Sequence, residues 1–127
     1  MDKKKAMAWV KALRSGKFEQ TTSRLRGETS EGQTAHCCLG VLAEISGCSQ
    51  YDIENYEALE DHMQERCDIQ DGVGTPTNVR ILDKEHKPIR IRIGNKFESF
   101  RNLAQANDKG ASFKSIATWI EKNYKLL

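Results

Sequence analysis

No part of this sequence approaches the ~20 consecutive apolar residues that a membrane-spanning helix needs. The opening Met1-Asp2-Lys3-Lys4-Lys5 is basic, but no apolar run follows it, which argues against a secretory signal. None of the four cysteines, Cys37, Cys38, Cys48 and Cys67, forms a Cys-x-x-Cys pair. Without an export signal the expectation is reduced thiols in a cytoplasm. Cys37 and Cys38 are adjacent and could bridge each other only with strain. Aromatic residues are 7% of the chain and the net charge is +2, which together disfavour a nucleic-acid binder, since such proteins carry a clear basic footprint.

What is present fits one domain over residues 1–127. A chain of that length buries about two-thirds of its unfolded surface, enough for a core without disulfides, metal or cofactor. Charged residues are 30% of the total, yet Ile, Leu, Val and Trp recur at helical spacing, so the chain is not disordered. The modest net charge hides a polarity. Residues 1–26 carry eight Lys and Arg against two acids; residues 52–71 carry eight acids against Arg66 alone; residues 80–101 carry seven bases against three acids. Such a pattern suits internal pairing, head-to-tail contact between copies of the chain, or an anionic partner.

Ala6, Trp9, Val10 and Leu13 fall on one face of a first helix, with Asp2 as N-cap and Gly16 just past its end. Thr-rich residues 17–26 predict an extended strand, and residues 27–34 a loop or hairpin turn. A second, largely buried helix is expected from about residue 35 to 46, with Cys38, Val41, Leu42 and Ile45 on its stripe and Gly47 ending it. Gly40 inside it implies close packing, because glycine costs a helix ~1 kcal/mol relative to alanine. Residues 51–67 predict a third helix with a thin stripe of Ile53, Tyr56, Met63 and Cys67, followed by a loop over 68–78. Residues 79–82 read as a strand and 83–87 as its connection. Ile89 to Ile93 alternate strictly, a strong strand signal, and Gly94-Asn95 turns the chain. Phe97, Phe100, Leu103 and Ala104 suggest a short helix ending before Asn107. Ser112 caps a last helix whose inner face is Phe113, Ile116, Ala117, Ile120 and Tyr124. The expected fold is a compact α+β domain: one small antiparallel sheet from residues 18–26, 79–82 and 89–93, covered by the first, second and last helices.

Two blocks carry a resemblance. The run Trp9-x-x-Ala12-Leu13-Arg14-Ser15-Gly16-Lys17-Phe18-x-Gln20, then Leu25-Arg26, then Cys37-Cys38-Leu39-Gly40-Val41-Leu42, resembles a family of small uncharacterised proteins of tailed phages and prophages. The run Leu103-Ala104-x-x-Asn107-Asp108-x-Gly110-x-Ser112-Phe113-x-x-Ile116-Ala117-x-x-Ile120 looks like the same family's C-terminal block. The resemblance covers roughly the first and last thirds and implies an accessory gene expressed in an infected bacterium. It implies no activity.

Candidate sites follow from residue chemistry. His36, the four cysteines and His62 lack the paired spacing of a zinc site, and Cys37 and Cys38 point about 100° apart on a helix, so core filling is the favoured role and no metal is expected. Cys37 beside His36 near a helix start resembles a nucleophile's setting, but no further partner can be assigned, and the chain is expected to act without catalysis. Arg24, Arg26, Arg90, Arg92 and Arg101 are the leading ligand- or partner-binding residues. Arg90 and Arg92 share the strand face opposite Ile89, Ile91 and Ile93, and rigidly held guanidinium pairs suit bidentate phosphate or carboxylate recognition. The competing reading pairs these arginines with the acidic segment 52–71. Trp119 lies at the edge of the last helix's stripe, a position open to partial exposure and partner contact but more commonly a margin of the core. Asn107-Asp108-Lys109-Gly110 reads as turn chemistry. Three functions are carried forward. The first is a phage inhibitor that binds a host defence or regulatory protein. The second is a nucleotide-binding sponge for a phosphorylated signal, using the arginine face. The third, disfavoured, is nucleic-acid binding.

Overall fold

The computed structural model describes residues 1–69 and 88–127. In chain order its elements are α1 (Lys3–Arg14), β1 (Glu19–Gln20), β2 (Arg26–Glu28), β3 (Thr34–His36), α2 (Cys38–Ile45), α3 (Gln50–Asn55), α4 (Asp61–Arg66), β4 (Ile89–Ile93), β5 (Lys96–Phe100), α5 (Leu103–Asp108) and α6 (Phe113–Asn123), with a 3-10 turn over Tyr124–Leu126. Among the described residues this is a small α+β protein with six α-helices and two small sheets. The strand expected at residues 79–82 and its connection at 83–87 lie outside the described residues.

The two outer helices form as their patterns predict. The Asp2 carboxylate accepts from Lys5 N at 3.1 Å and caps α1. Gly16 follows with φ +74°, the left-handed value a helix end favours. Ala6, Trp9, Val10 and Leu13 are all buried. Removing a side chain of their larger type from water stabilises the fold by about 1.5–3 kcal/mol. Trp9 Nε1 donates to Cys38 O at 2.9 Å, so the indole is buried with its polar edge satisfied. Ser112 caps α6 by accepting from Ser115 N, and Phe113, Ile116, Ala117 and Ile120 turn inward against α1.

The centre departs from expectation in three ways. The expected single sheet is two sheets: β3 lies between β1, parallel to it, and β2, antiparallel to it, while β4 and β5 form a separate hairpin. Residues 17–26 are not one strand. They give only β1 before the chain bends through Ser23 at φ 66°, and β2 starts at Arg26. The second helix starts three residues later than expected, because Ala35 and His36 are taken into β3 and bonded on both edges. Cys37 is its N-cap, with Sγ accepting from Gly40 N at 3.4 Å. Every residue from Cys38 to Ala43 is buried, whereas Ile45, expected on the stripe, is 37% exposed.

The expected helix over 51–67 is two helices. Tyr56 turns extended at φ −109°, ψ 139°, and the chain then buries Ala58 and Leu59 before α4 begins. The residues from Phe97 are not helical either. Gly94, at φ 62°, opens a two-residue turn in which Ile93 pairs with Lys96, so Lys96–Phe100 returns as a strand. The helix there is confined to Leu103–Asp108, with Asn102 as cap.

Among the described glycines, Gly40 is the most tightly packed. A Cβ built on it would stand 1.8 Å from Leu25 O and 2.7 Å from Leu25 C, both backbone atoms that no rotamer change can move. The Leu25 carbonyl also accepts from Cys37 N at 3.2 Å. Gly40→Leu is therefore expected to cost about 3 kcal/mol or more, at the upper end of overpacking changes. Gly40→Ala should also be strongly destabilising. Denaturant melts in which Gly40→Ala matches the wild type would refute the contact.

Candidate anion-binding groove

The Ile89, Ile91, Ile93 alternation sets the site. Ile89 and Ile91 are buried and Ile93 is half-buried, so the pleat turns Arg90 and Arg92 to the opposite, exposed face. The hairpin register places Phe97 directly across from Arg92 and Ser99 across from Arg90. Phe97 is 60% exposed, and the Arg90 guanidinium lies 6.0 Å from its ring centroid, at the outer limit of a cation–π contact. Arg92 Nε donates to Gly94 O at 2.9 Å, which holds its stem along the turn.

β4 packs beside α6, and a groove of about 550 Å³ lies between them. Its helix wall is Ser115, Thr118, Trp119, Lys122, Asn123 and Leu126, at the three- and four-residue spacing of one helix face. Its strand wall includes Arg90, Arg92, Phe97 and Pro88. Among the described residues the lining holds three cations and no acid. Glu121, the acid nearest in sequence on α6, is occupied by Arg14 at 2.9 Å, a bond that lowers its pKa. Glu98 pairs in register with Ile91 and so belongs to the other face of the hairpin.

Three of the six sequence-derived candidates, Arg90, Arg92 and Trp119, thus meet in one groove. Trp119 is only 9% exposed, as a residue at the margin of the core is: packing covers most of the ring and leaves it as part of the groove wall. Arg24 and Arg101 do not join them. The Arg24 stem lies against the backbone of Gly27, and Arg101 is exposed, its backbone N–H donating to Gln105 Oε1. Phe97 and Lys122 were missed by the sequence reading. The Gly94-Asn95 dipeptide after an alternating run is a hairpin signal that would have placed Phe97 opposite Arg92. Lys122 lies one helical turn from Trp119 on α6.

Arg26 belongs elsewhere. Its Nη1 donates to Glu44 at 3.0 Å and to Gln50, and its Nη2 donates to Glu54. For this arginine the internal pairing with the acidic segment holds. Among the described residues Arg90 and Arg92 make no ion pair. Glu44 Oε1 also accepts from His36 Nε2 at 3.1 Å, and its Oε2 from Gln50 Nε2 at 3.2 Å.

Cys37 is buried, and burial pushes its thiol up to about 11, so it stays protonated at neutral pH as a capping group. Among the described residues no group of three or more His, Cys, Asp or Glu is placed to hold a metal ion, and no helix is long and apolar enough to cross a membrane.

Fold and groove together define a small α+β protein with a cationic, partly aromatic cleft. The chain belongs to the family described as "Domain of unknown function (DUF8296)", whose model matches residues 1–124. No significant match is found among curated proteins or solved structures.

The Glu44 cluster predicts acid behaviour. Burial raises the Glu44 pKa, but hydrogen bonds from His36 and Gln50 and the nearby charges of His36 and Arg26 outweigh it, so the net shift is downward. A depressed folded-state value means stability that is complete above the unfolded value, about 4.3, and lost as pH falls through the folded value beneath it. Glu44→Gln should remove this component: between about pH 5 and pH 3 the wild type should lose unfolding free energy more steeply than the variant. Parallel losses in denaturant melts would show that the carboxylate is not stabilised by folding.

Proposed function

We propose that this is a binding protein whose groove between β4 and α6 takes a small phosphorylated ligand of the nucleotide class. The observation that carries this reading is the convergence of Arg90, Arg92 and Lys122 with Phe97 and Trp119 on one cleft that no acid lines among the described residues. Guanidinium groups offer phosphate oxygens paired donors in fixed geometry. An exposed aromatic ring beside them offers a stacking surface to a base. The groove's volume falls in the ~300–1,000 Å³ range of small-molecule sites. Three cations are enough for a small anion but not for the long basic track that a nucleic acid follows. Sequestration of a phosphorylated signal is the simplest activity for such a site.

A second reading, an inhibitor that binds a host protein, is favoured by the exposure of Phe97 next to two arginines, since aromatic residues and Arg dominate protein–protein hot spots. The resemblance to tailed-phage and prophage proteins supports an accessory role in the cytoplasm of an infected bacterium under either reading. The compact single domain belongs to the same proposal.

The test is equilibrium binding of a panel of nucleoside mono-, di- and triphosphates to the wild type and to the Arg90→Gln/Arg92→Gln double variant. The wild type should bind members of the panel more weakly as salt rises. The double variant should lose about tenfold or more in affinity, and its melting free energy should stay within about 0.5 kcal/mol of the wild type, as for exposed positions outside the core. Phe97→Ala should weaken binding without changing the salt dependence. Failure of the whole panel to bind would reject the nucleotide reading. A fall in stability in the double variant would instead assign the arginines to an internal anion.

A further inference from the structure

We infer that Cys48 and Cys67 form a peroxide-responsive thiol pair that closes into an intramolecular disulfide. The inference is independent of the groove and of its ligand. The two sulfurs lie 3.9 Å apart. Cys67 is fully buried, while Cys48, 7% exposed, lines an open depression of about 280 Å³ with Ser49, Asp52, His62 and Arg66. Hydrogen peroxide is little larger than water, and a depression of this size admits it. The second thiol stands directly behind the first.

Both cysteines are held by backbone at the ends of their helices. Cys48 N donates to Ala43 O at 3.1 Å, and Cys67 N donates to Met63 O at 2.9 Å. The two helix ends are also tied to each other: Arg66 Nη1 donates to Gly47 O, and Lys5 Nζ reaches both Ser46 Oγ and Arg66 O. For the bond to form, the sulfurs must approach from 3.9 Å to about 2.05 Å. The other two cysteines differ. Cys37 Sγ caps α2, and Cys38 Sγ faces the Leu103 carbonyl.

The order of events follows from exposure. Burial raises both thiol pKa values, that of Cys67 to about 12 and that of Cys48 also on balance, with Cys67's hydrogen bond and the Arg66 charge offsetting only part of the Cys48 rise. Cys48, the one of the two that lines the depression, is the entering nucleophile. Its sulfur attacks one peroxide oxygen, the O–O bond breaks, and the hydroxide released takes the thiol proton to leave as water. Cys48 becomes a sulfenic acid, oxidised by two electrons. Cys67 sulfur then attacks Cys48 sulfur, the S–O bond breaks, and the departing hydroxide carries off the Cys67 proton. Two thiols and one peroxide give one disulfide and two waters.

The experiment treats the reduced wild-type chain with hydrogen peroxide, blocks remaining thiols with an alkylating reagent and maps peptides without reduction. The expected result is a mass about 2 Da lower before blocking, from loss of two hydrogens, and a linked pair of peptides carrying Cys48 and Cys67. In Cys67→Ala the same treatment should stop at a Cys48 sulfenic acid, trapped by a 1,3-dione reagent. The inference fails if both thiols remain alkylatable at a peroxide dose that oxidises an exposed thiol. It fails equally if the link forms only in denaturant or joins other cysteines. Should Cys67→Ala not fold, the wild-type peptide map decides alone.

Discussion

The side chain of Asn107 is the point on which the two ends of the chain meet. It is 1% exposed, and all its bonds reach elements distant in sequence or the residue beside it. Its Oδ1 accepts from Cys38 N at 3.1 Å and from Gln20 Nε2 at 2.9 Å; its Nδ2 donates to Thr21 O at 2.8 Å. One amide thus satisfies an orphan N–H at the start of α2, the end of β1 and the loop beyond it. A buried backbone group left unpaired costs about 1–3 kcal/mol, so three partners on one side chain make it hard to replace. The next residue extends the clasp: Asp108 accepts from Ser23 N and holds that residue in its left-handed conformation. With the chain pinned there, Leu25 is directed onto Gly40 and the small three-stranded sheet closes over α2.

The polarity of charge along the chain resolves into two different uses. At Arg26, 15% of the side chain is exposed and three acceptors surround the guanidinium. Such a cation joins β2 to α2 and α3, and removing one partner would leave the others uncompensated. Arg90 and Arg92 sit on a two-stranded hairpin with solvent on one side and, among the described residues, have no acid beside them. The same residue type is thereby a structural tie in one place and, among the described residues, a pair of cations without an ion-pair partner in the other. What separates them is that Glu44 and Glu54 are folded against Arg26, a tertiary fact that charge counts along the sequence do not contain.

Legibility followed the reach of the forces involved. α1, α6 and β4 were readable because their burial follows one period over their whole length, and Asp2, Ser112 and Gly16 act within four residues. Gly40 was readable as a close contact because a glycine in an apolar helix has no local reason to be there. The break at Tyr56 was not, since an acidic segment with a thin stripe gives no signal that Ala58 and Leu59 must leave the helix to be buried. β3 was lost to α2 because Ala35 and His36 are compatible with either state, and the decision comes from β1 and β2. Asn107 read as a turn residue on composition, and only the fold supplies its three distant partners.

The groove inherits its precision from the same periodicities. A slip of one residue in β4 would bury Arg90 and Arg92 and expose three isoleucines, so the core fixes where these cations stand. Rotation of α6 is likewise fixed by Ile116, Ala117 and Ile120, and that rotation leaves Ser115, Trp119 and Lys122 along the flank that meets β4. Neither wall has to be positioned by contacts of its own. The placement of these cations, which make no ion pair among the described residues, therefore does not depend on an anion, as binding of an external anion would require.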